Sequence, residues 1–213
     1  MSNSIADMRQ EYTRQSLDIS DVSPDPIQQF NQWFEEAKNA QLPEPNAMHL
    51  ATASVDGRPS GRIVLLKGIE NRQFLFYTNY QSQKGQQIAE NPQAALTFFW
   101  GELERQVRIE GSIAKVDEST STEYFHSRPR GSQIGAWVSP QSQAIENREV
   151  LSNRETQFTK QYAEQEVTKP QHWGGYAVTN HLVEFWQRRP SRLHDRILYH
   201  LNRDRWKIPR LAP

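Results

Sequence analysis

The stretch Ser60-Gly61-Arg62-Ile63-Val64-Leu65-Leu66-Lys67-Gly68 is a short apolar run with a cation near each end. Branched side chains favour a strand, and the glycines mark its limits. With a period of two, Arg62, Val64 and Leu66 face one way and Ile63, Leu65 and Lys67 the other, so neither face is polar. Such a strand needs cover on both sides, from a barrel or sandwich core and from a helix or a second subunit. The two cations then lie where the strand surfaces, either as rim charges or as the beginning of an anion site.

Working outward, residues 47–55 read as a small-residue strand, joined to this one by the Asp56-Gly57 hairpin turn. After a turn at Glu70-Asn71-Arg72 come strands over 73–78, 94–100 and 106–113, with a short helix over 82–90. Five strands this close together leave no room for ordinary βαβ crossovers. The expected fold class is therefore mainly β with flanking helices, an antiparallel sheet closed into a small barrel. An amphipathic helix is expected over 26–40, carried by Ile27, Phe30, Trp33, Phe34 and Ala37 with Pro26 at its start. Further helices are expected over 118–127 and 146–166, and further strands over 176–186 and 192–201, with Arg189-Pro190-Ser191 interrupting. Pro129 and Gly131 should break the helix after 127 and leave Ser132 on a loop. Residues 1–25 hold few large apolar groups and read as a mobile arm before a single domain, 26–213.

Composition narrows the chemistry. Twenty-five basic residues balance twenty-five acidic ones, but unevenly along the chain. The first fifty residues have only Arg9, Arg14 and Lys38 as cations, whereas Arg188, Arg189, Arg192, Arg196, Arg203, Arg205, Lys207 and Arg210 crowd the last twenty-six. These cations alternate with apolar residues, which suits small phosphorylated ligands and argues against a nucleic-acid partner. Cysteine is absent, which excludes disulfides, thiolate nucleophiles and cysteine-held clusters. The histidines show no metal-ligand spacing. No apolar run approaches the ~20 residues that cross a bilayer, so a cytoplasmic protein without a membrane partner is expected.

Three segments can carry a site. Ser82-Gln83-Lys84 stands at a predicted helix start, where free amides, a hydroxyl and an ammonium make a phosphate cradle; a simple Ser N-cap beside a surface lysine has the same sequence. Gln106 and Arg108 share one strand face opposite Val107 and Ile109, placed to meet a heterocycle edge or merely to pair across the ladder. Arg192, His194 and Arg196 are expected on one strand face, with Leu193, Ile197 and Tyr199 behind and Trp186 as a flat wall. Adjacent cations repel, and an anion would relieve them. There is no serine elbow, GxGxxG or Walker loop, so the reactivity of such a site would come from a bound cofactor.

With these segments in view, the sequence resembles the pyridoxamine (pyridoxine) 5'-phosphate oxidase family. The resemblance is carried in order by Arg62 to Lys67, Phe76-Tyr77-Thr78-Asn79-Tyr80, Glu104-Arg105-Gln106-Val107-Arg108, the run from Tyr124 to Trp137, Ser139-Pro140-Gln141-Ser142, Val183-Glu184-Phe185-Trp186, Arg192-Leu193-His194-Asp195-Arg196 and Arg210-Leu211-Ala212-Pro213. It implies a split β-barrel that binds flavin mononucleotide (FMN) and pairs as a homodimer with sites at the subunit interface. The flavin set it implies is Arg62, Ile63, Val64, Leu65, Leu66, Lys67, Tyr77, Thr78, Gln83, Lys84, Gln106, Gln141, Ser142, Trp186 and Arg196. The family commonly carries Ser-Arg-Lys where this chain has Ser82-Gln83-Lys84, which leaves Arg62 and Lys84 to carry more of the charge. Around the substrate phosphate it implies Lys67, Tyr124, Arg128 and Ser132. Arg192, Leu193 and His194 are implied near the substrate ring, and Arg9, Gln10, Glu11 and Tyr12 in a covering arm.

The implied reaction is oxidation of pyridoxamine 5'-phosphate or pyridoxine 5'-phosphate to pyridoxal 5'-phosphate by hydride transfer to FMN, with O2 reoxidising the flavin to give H2O2. Arg192, His194 and Arg196 would align and stabilise the reacting groups. Two other classes share much of this sequence pattern: a split-barrel flavin reductase acting on another substrate, and a non-catalytic carrier of flavin or pyridoxal phosphate. The first should lack the grip of Tyr124, Arg128 and Ser132. Only turnover separates the second.

Overall fold

The structure, a computed structural model, describes residues 16–213. Arg9, Gln10, Glu11 and Tyr12 lie outside the described residues. The strands are β1 (Ala47–Ala53), β2 (Pro59–Leu65), β3 (Gly68–Glu70), β4 (Gln73–Asn79), β5 (Gln93–Trp100), β6 (Arg105–Lys115), β7 (Trp173–Gln187), β8 (Asp195–Asn202) and β9 (Arg205–Lys207). They form one sheet in the order β2-β1-β5-β6-β7-β4-β3, with β8 on β7 and β9 on β8. At fifteen residues β7 is long enough to change partner. Its first half, Trp173 to Thr179, runs antiparallel to β4, and Leu182 to Gln187 runs antiparallel to β8.

By internal contacts the chain falls into two compact units. One comprises the described residues up to His49, Ala95–Gly111 and Asn180–Pro213; the other comprises Leu50–Ala94 and Ser112–Thr179. In the first, α1 (Pro26–Asn39) begins where Asp25 accepts the Ile27 N–H at 2.9 Å, with Pro26 in the first turn where no N–H is missed. Its buried stripe sets Phe30 edge-on to Phe98 at 5.0 Å and Trp33 edge-on to Phe185 at 5.1 Å. The preceding segment is tied to this unit: Leu17 is buried, its N–H reaches Asp195, and Tyr199 donates to the Ser23 carbonyl at 2.6 Å.

The second unit carries α2 (Gln83–Glu90), α3 (Glu118–Ser127), α4 (Arg130–Val138) and α5 (Glu149–Gln161). Phe125, Ile134, Val138, Tyr162, Val167 and Trp173 form one buried cluster there. Asp117 caps α3, accepting the Thr120 N–H at 2.7 Å.

Several expectations need correcting. Ser132 lies inside a helix: Arg128 precedes Pro129 and is held extended, ending α3, but Pro129 then stands at the start of α4, and its carbonyl accepts the Ser132 N–H at 2.8 Å. The helix expected over 146–166 is confined to Glu149–Gln161. Tyr162 and Val167 both enter the buried cluster, and the chain must turn between them. The organising strand ends at Leu65, so Lys67 sits in the bend before β3, where its N–H bonds the Leu75 carbonyl. The strand expected from 192 starts at Asp195, because Pro190 opens a turn in which Ser191 and Arg192 are both left-handed. Strand β3 was not expected; it joins β4 through Asn71 and Arg72, both at positive φ in a tight two-residue turn that needs no glycine here.

Candidate functional site

Two cations in the second unit come from the segments singled out by sequence. Arg62 faces inward with Val64 and Leu66, while Ile63 on the other side is 65% exposed and Leu65 is half-buried. Both terminal nitrogens of the Arg62 guanidinium are engaged: Nη1 donates to Thr52 Oγ1 at 2.6 Å and to the carbonyls of Ser60 and Leu50, and Nη2 donates to Gln87 Oε1 at 3.3 Å. Gln87 closes the cluster by donating to Ser60 Oγ at 2.9 Å. Burial lowers the pKa of Arg62.

Lys84 stands in the first turn of α2, whose cap, Ser82, accepts the Gly85 N–H and donates to the Asn79 carbonyl. A side chain at Gly85 would land on the Tyr80 backbone oxygen, so only glycine lets this helix start so close to the end of β4. Lys84 Nζ reaches Gln141 Oε1 at 2.8 Å, Thr78 Oγ1 at 3.3 Å and Ser82 Oγ at 3.4 Å. None of these partners is anionic. Burial, and next the charge of Arg62, pull the Lys84 pKa down to about 8. Gln83 is exposed, as is Ser142, which holds a positive φ just after Gln141.

A cavity of about 380 Å³ opens beside this centre. Lys67, Tyr124, Arg128 and Ser132 all line it, together with Tyr77, Thr78, Gln141, Pro129 and Trp173. The four residues expected around the substrate phosphate thus line one cavity with three expected to hold the flavin. Arg128 Nη1 is buried and has no hydrogen-bond partner among the described residues. Its guanidinium lies over the Trp173 ring, 4.4 Å from the centroid. Burial lowers its pKa, against a smaller opposing effect of Tyr124. A buried donor without an acceptor costs about 1–3 kcal/mol, and an anion in the cavity would remove that cost.

In the other unit, Gln106 and Arg108 are half-buried on one face of β6 while Val107 and Ile109 are fully buried on the other. Arg196, paired in register with Trp186, is the one member of its expected trio on β8. Its Nε donates to Glu184 Oε1 at 2.6 Å, which raises its pKa, and its Nη1 donates to the Ala212 carbonyl at 3.0 Å. Glu184, almost wholly buried, also meets Arg108 at 3.2 Å. The chain therefore supplies the countercharge for Arg196 that sequence reasoning had assigned to a ligand. Arg192 and Leu193 are exposed in the turn before the strand. His194 packs on Trp186 with ring centroids 4.5 Å apart, and its Nδ1 accepts the Arg189 N–H at 3.1 Å. Its neutral form thus carries the proton on Nε2. Burial first, then Arg188 and Arg192, lower its pKa against Asp195.

Sequence reasoning missed Thr52, Gln87, Glu184 and Trp173. Only Trp173 carried a local signal, being followed directly by Gly174-Gly175.

Comparison with known proteins identifies the family. Residues 34–162 match the family described as pyridoxamine 5'-phosphate oxidase, and residues 173–213 match the pyridoxine 5'-phosphate oxidase C-terminal dimerisation region. The chain is 56% identical over 214 residues to a pyridoxine/pyridoxamine 5'-phosphate oxidase of Trichormus variabilis, covering all of both proteins. It is 56% identical over 212 residues to one of Paraburkholderia phymatum, covering 99% of this chain and 100% of that protein. Among solved structures, PhzG from Burkholderia lata in complex with tetrahydrophenazine-1-carboxylic acid superposes with a TM-score of 0.86 at 29% identity, covering 91% of this chain and 95% of that one. A pyridoxamine 5'-phosphate oxidase-related FMN-binding protein from Nostoc punctiforme shares the fold, with a TM-score of 0.69 at 19% identity over 90% of this chain and 100% of that one.

Proposed function

Because the chain belongs to the pyridoxamine 5'-phosphate oxidase family, we propose that it oxidises pyridoxamine 5'-phosphate and pyridoxine 5'-phosphate to pyridoxal 5'-phosphate using FMN. The observation that carries this reading is the cavity wall on which Lys67, Tyr124, Arg128 and Ser132 converge, with a buried guanidinium nitrogen of Arg128 still in need of an acceptor. A reductase acting on an unphosphorylated substrate has no use for that arrangement.

The residues present fit FMN. Lys84, buried among neutral partners, gains most from a phosphate oxygen, and Arg62 is locked close enough to depress it. Thr78 and Gln141 add neutral donors, and the backbone from Ile63 to Leu66, with Tyr77 and Ser142, completes the set in this unit. Gln106, Trp186 and Arg196 are the proposed flavin residues of the other unit. When bound, FMN supplies the two-electron acceptor for the substrate's C4' hydride and is returned to its oxidised form by O2, yielding H2O2.

The protein's own part is binding, orientation and charge. Lys67, Arg128 and the hydroxyls of Tyr124 and Ser132 grip the phosphate, which fixes the ring at its far end. The Nε2–H of His194 and the exposed guanidinium of Arg192 are proposed to orient the ring, so that alignment is present before reaction. Arg196, its charge offset and its side chain held by Glu184, is proposed to orient guanidinium N–H dipoles toward the developing anion. No side chain acts as a covalent nucleophile. The functional unit is proposed to be a homodimer, supported by the match of residues 173–213 to a dimerisation region and by the exposure of Ile63 and Phe99. A cytoplasmic location completes the proposal; none of the described helices is long and apolar enough to cross a membrane.

The test is an absorbance spectrum of purified protein, then addition of pyridoxamine 5'-phosphate in air. The expected result is a flavin band whose chromophore, released by denaturation, coelutes with FMN, followed by equal yields of pyridoxal 5'-phosphate and H2O2. Folded protein that cannot take up FMN at micromolar concentration, or that takes it up and does not turn over, would overturn the reading.

A further inference from the structure

Arg128 is the last residue before Pro129, at the end of α3, where nothing in the helix itself fixes a long side chain. Its buried Nη1 makes no hydrogen bond to any described residue. What it does have is an aromatic floor. The Trp173 ring lies 4.4 Å from the guanidinium carbon, and Phe125 lies 5.7 Å away on the same cation. Trp173 is itself held by a stack: Tyr77 is nearly parallel to it at 5.6 Å, and Tyr77 and Tyr124 stack on each other at 3.8 Å and 16°. The stack reaches the backbone because residue 175 is glycine, where a Cβ would come within 2.7 Å of the Tyr77 ring. Trp173 is 6% exposed, and both its own cavity wall and a neighbouring cavity of about 220 Å³ include Arg128 and Ser132.

We propose that Trp173 is a positioning residue of the phosphate grip: its ring holds the Arg128 guanidinium in place while leaving Nη1 unpaired, and so sets how strongly the site prefers a phosphorylated ring to the same ring without phosphate. This rests on the reading of the cavity as the pyridoxamine phosphate site. An aromatic face suits the task better than a carboxylate would. A carboxylate would fix Arg128 by occupying its donors and cancelling its charge, as Glu184 does for Arg196. A π face fixes the cation through its quadrupole and leaves every N–H for the ligand. At Nη1 burial has already removed the water that would compete for the donor, so the gain on phosphate binding is larger than at an exposed arginine.

Trp173→Leu would open a hole in the buried cluster, so the informative variant is Trp173→Phe, which keeps an apolar ring with a weaker cation attraction. FMN-loaded protein whose flavin has been reduced beforehand, so that it cannot accept hydride, is titrated calorimetrically without oxygen, once with pyridoxamine 5'-phosphate and once with pyridoxamine. The expected result is a loss of about 3- to 30-fold in affinity for the phosphorylated ligand only, with flavin content and melting temperature held. The loss should also disappear when Arg128 is already alanine. An equal loss for both ligands, or a loss that persists in full in the Arg128→Ala background, would make Trp173 a packing residue and overturn the proposal. Wild-type protein that shows no preference for the phosphorylated ligand would instead overturn the functional reading beneath it.

Discussion

Arg62 and Arg128 are both half-buried arginines of the same compact unit, and their surroundings are opposite. Arg62 has both terminal nitrogens tied to groups of the chain itself, Thr52, Gln87 and two carbonyls. Arg128 rests on rings and keeps a buried nitrogen unpaired. The first arrangement builds a fixed charge into the scaffold; the second leaves a binding demand that only a ligand meets. Lys84 lies between the two cases, with hydrogen bonds to neutral groups and no countercharge.

The sharpest way to break this comparison is to remove each arginine in turn. Arg128→Ala should cost ~2–4 kcal/mol of binding to pyridoxamine 5'-phosphate while changing the chain's urea stability by less than ~1 kcal/mol, because the lost ring contact is offset by removal of an unpaired buried donor. Arg62→Ala should do the reverse to the fold, lowering stability by ~1–3 kcal/mol as Thr52 and Gln87 lose their donor. Calorimetry with the flavin already reduced, so that no hydride is transferred, and urea midpoints read both. Equal stability losses would show that the two arginines are not different in kind.

A second, smaller effect tests the intermediate case. Lys84→Met should weaken FMN binding by ~1.5–3 kcal/mol and yet stabilise the flavin-free protein at neutral pH. The folded pKa, about 8, lies below the ordinary value of 10.5, so the fold penalises the charged amine. That penalty is complete below about pH 8 and is relieved as pH rises towards 10.5, where both states are neutral. Flavin-free wild type should therefore gain stability relative to Lys84→Met across that window, as followed by denaturation at several pH values. A constant difference would mean that Lys84 is solvated.

The smallest expected effect is at Gln83, exposed at the start of α2. Gln83→Arg should tighten FMN by ~0.2–1 kcal/mol at low salt, with the gain fading at high ionic strength. Fluorescence titration at two salt concentrations reads it. An undiminished gain would place the new cation in direct, desolvated contact with phosphate.

Much of this contrast was legible in the sequence, and the unread part has a common cause. The alternation around Arg62 and along Gln106 to Ile109 was visible because strand periodicity is local. The Ser82 cap was visible for the same reason. The partners were not. Gln87 reaches Arg62 from a helix twenty-five residues away, and Glu184 meets Arg196 across a strand pair. Which glutamine or glutamate arrives is decided by sheet register, which no window of residues encodes. Ser132 was misplaced because a proline that ends one helix can equally begin the next. Arg192 was misplaced because left-handed backbone at two non-glycine residues leaves no compositional trace. The grouping of Lys67, Tyr124, Arg128 and Ser132 came from family resemblance, and what the structure adds is the aromatic floor beneath it.

That floor has an optical consequence. Tyr77, Tyr124 and Trp173 are near-parallel ring systems in close stack, so their ultraviolet transition dipoles couple and should give the unit a strong near-ultraviolet circular dichroism band, a signal that reports fixed tertiary packing. The guanidinium above Trp173 imposes an electric field on its excited state, and a dianion seated against that guanidinium would cancel part of the field. On the proposed function, such a site would carry its own electrochromic indicator, the arrival of phosphate being written as a shift in tryptophan absorption before any electron moves.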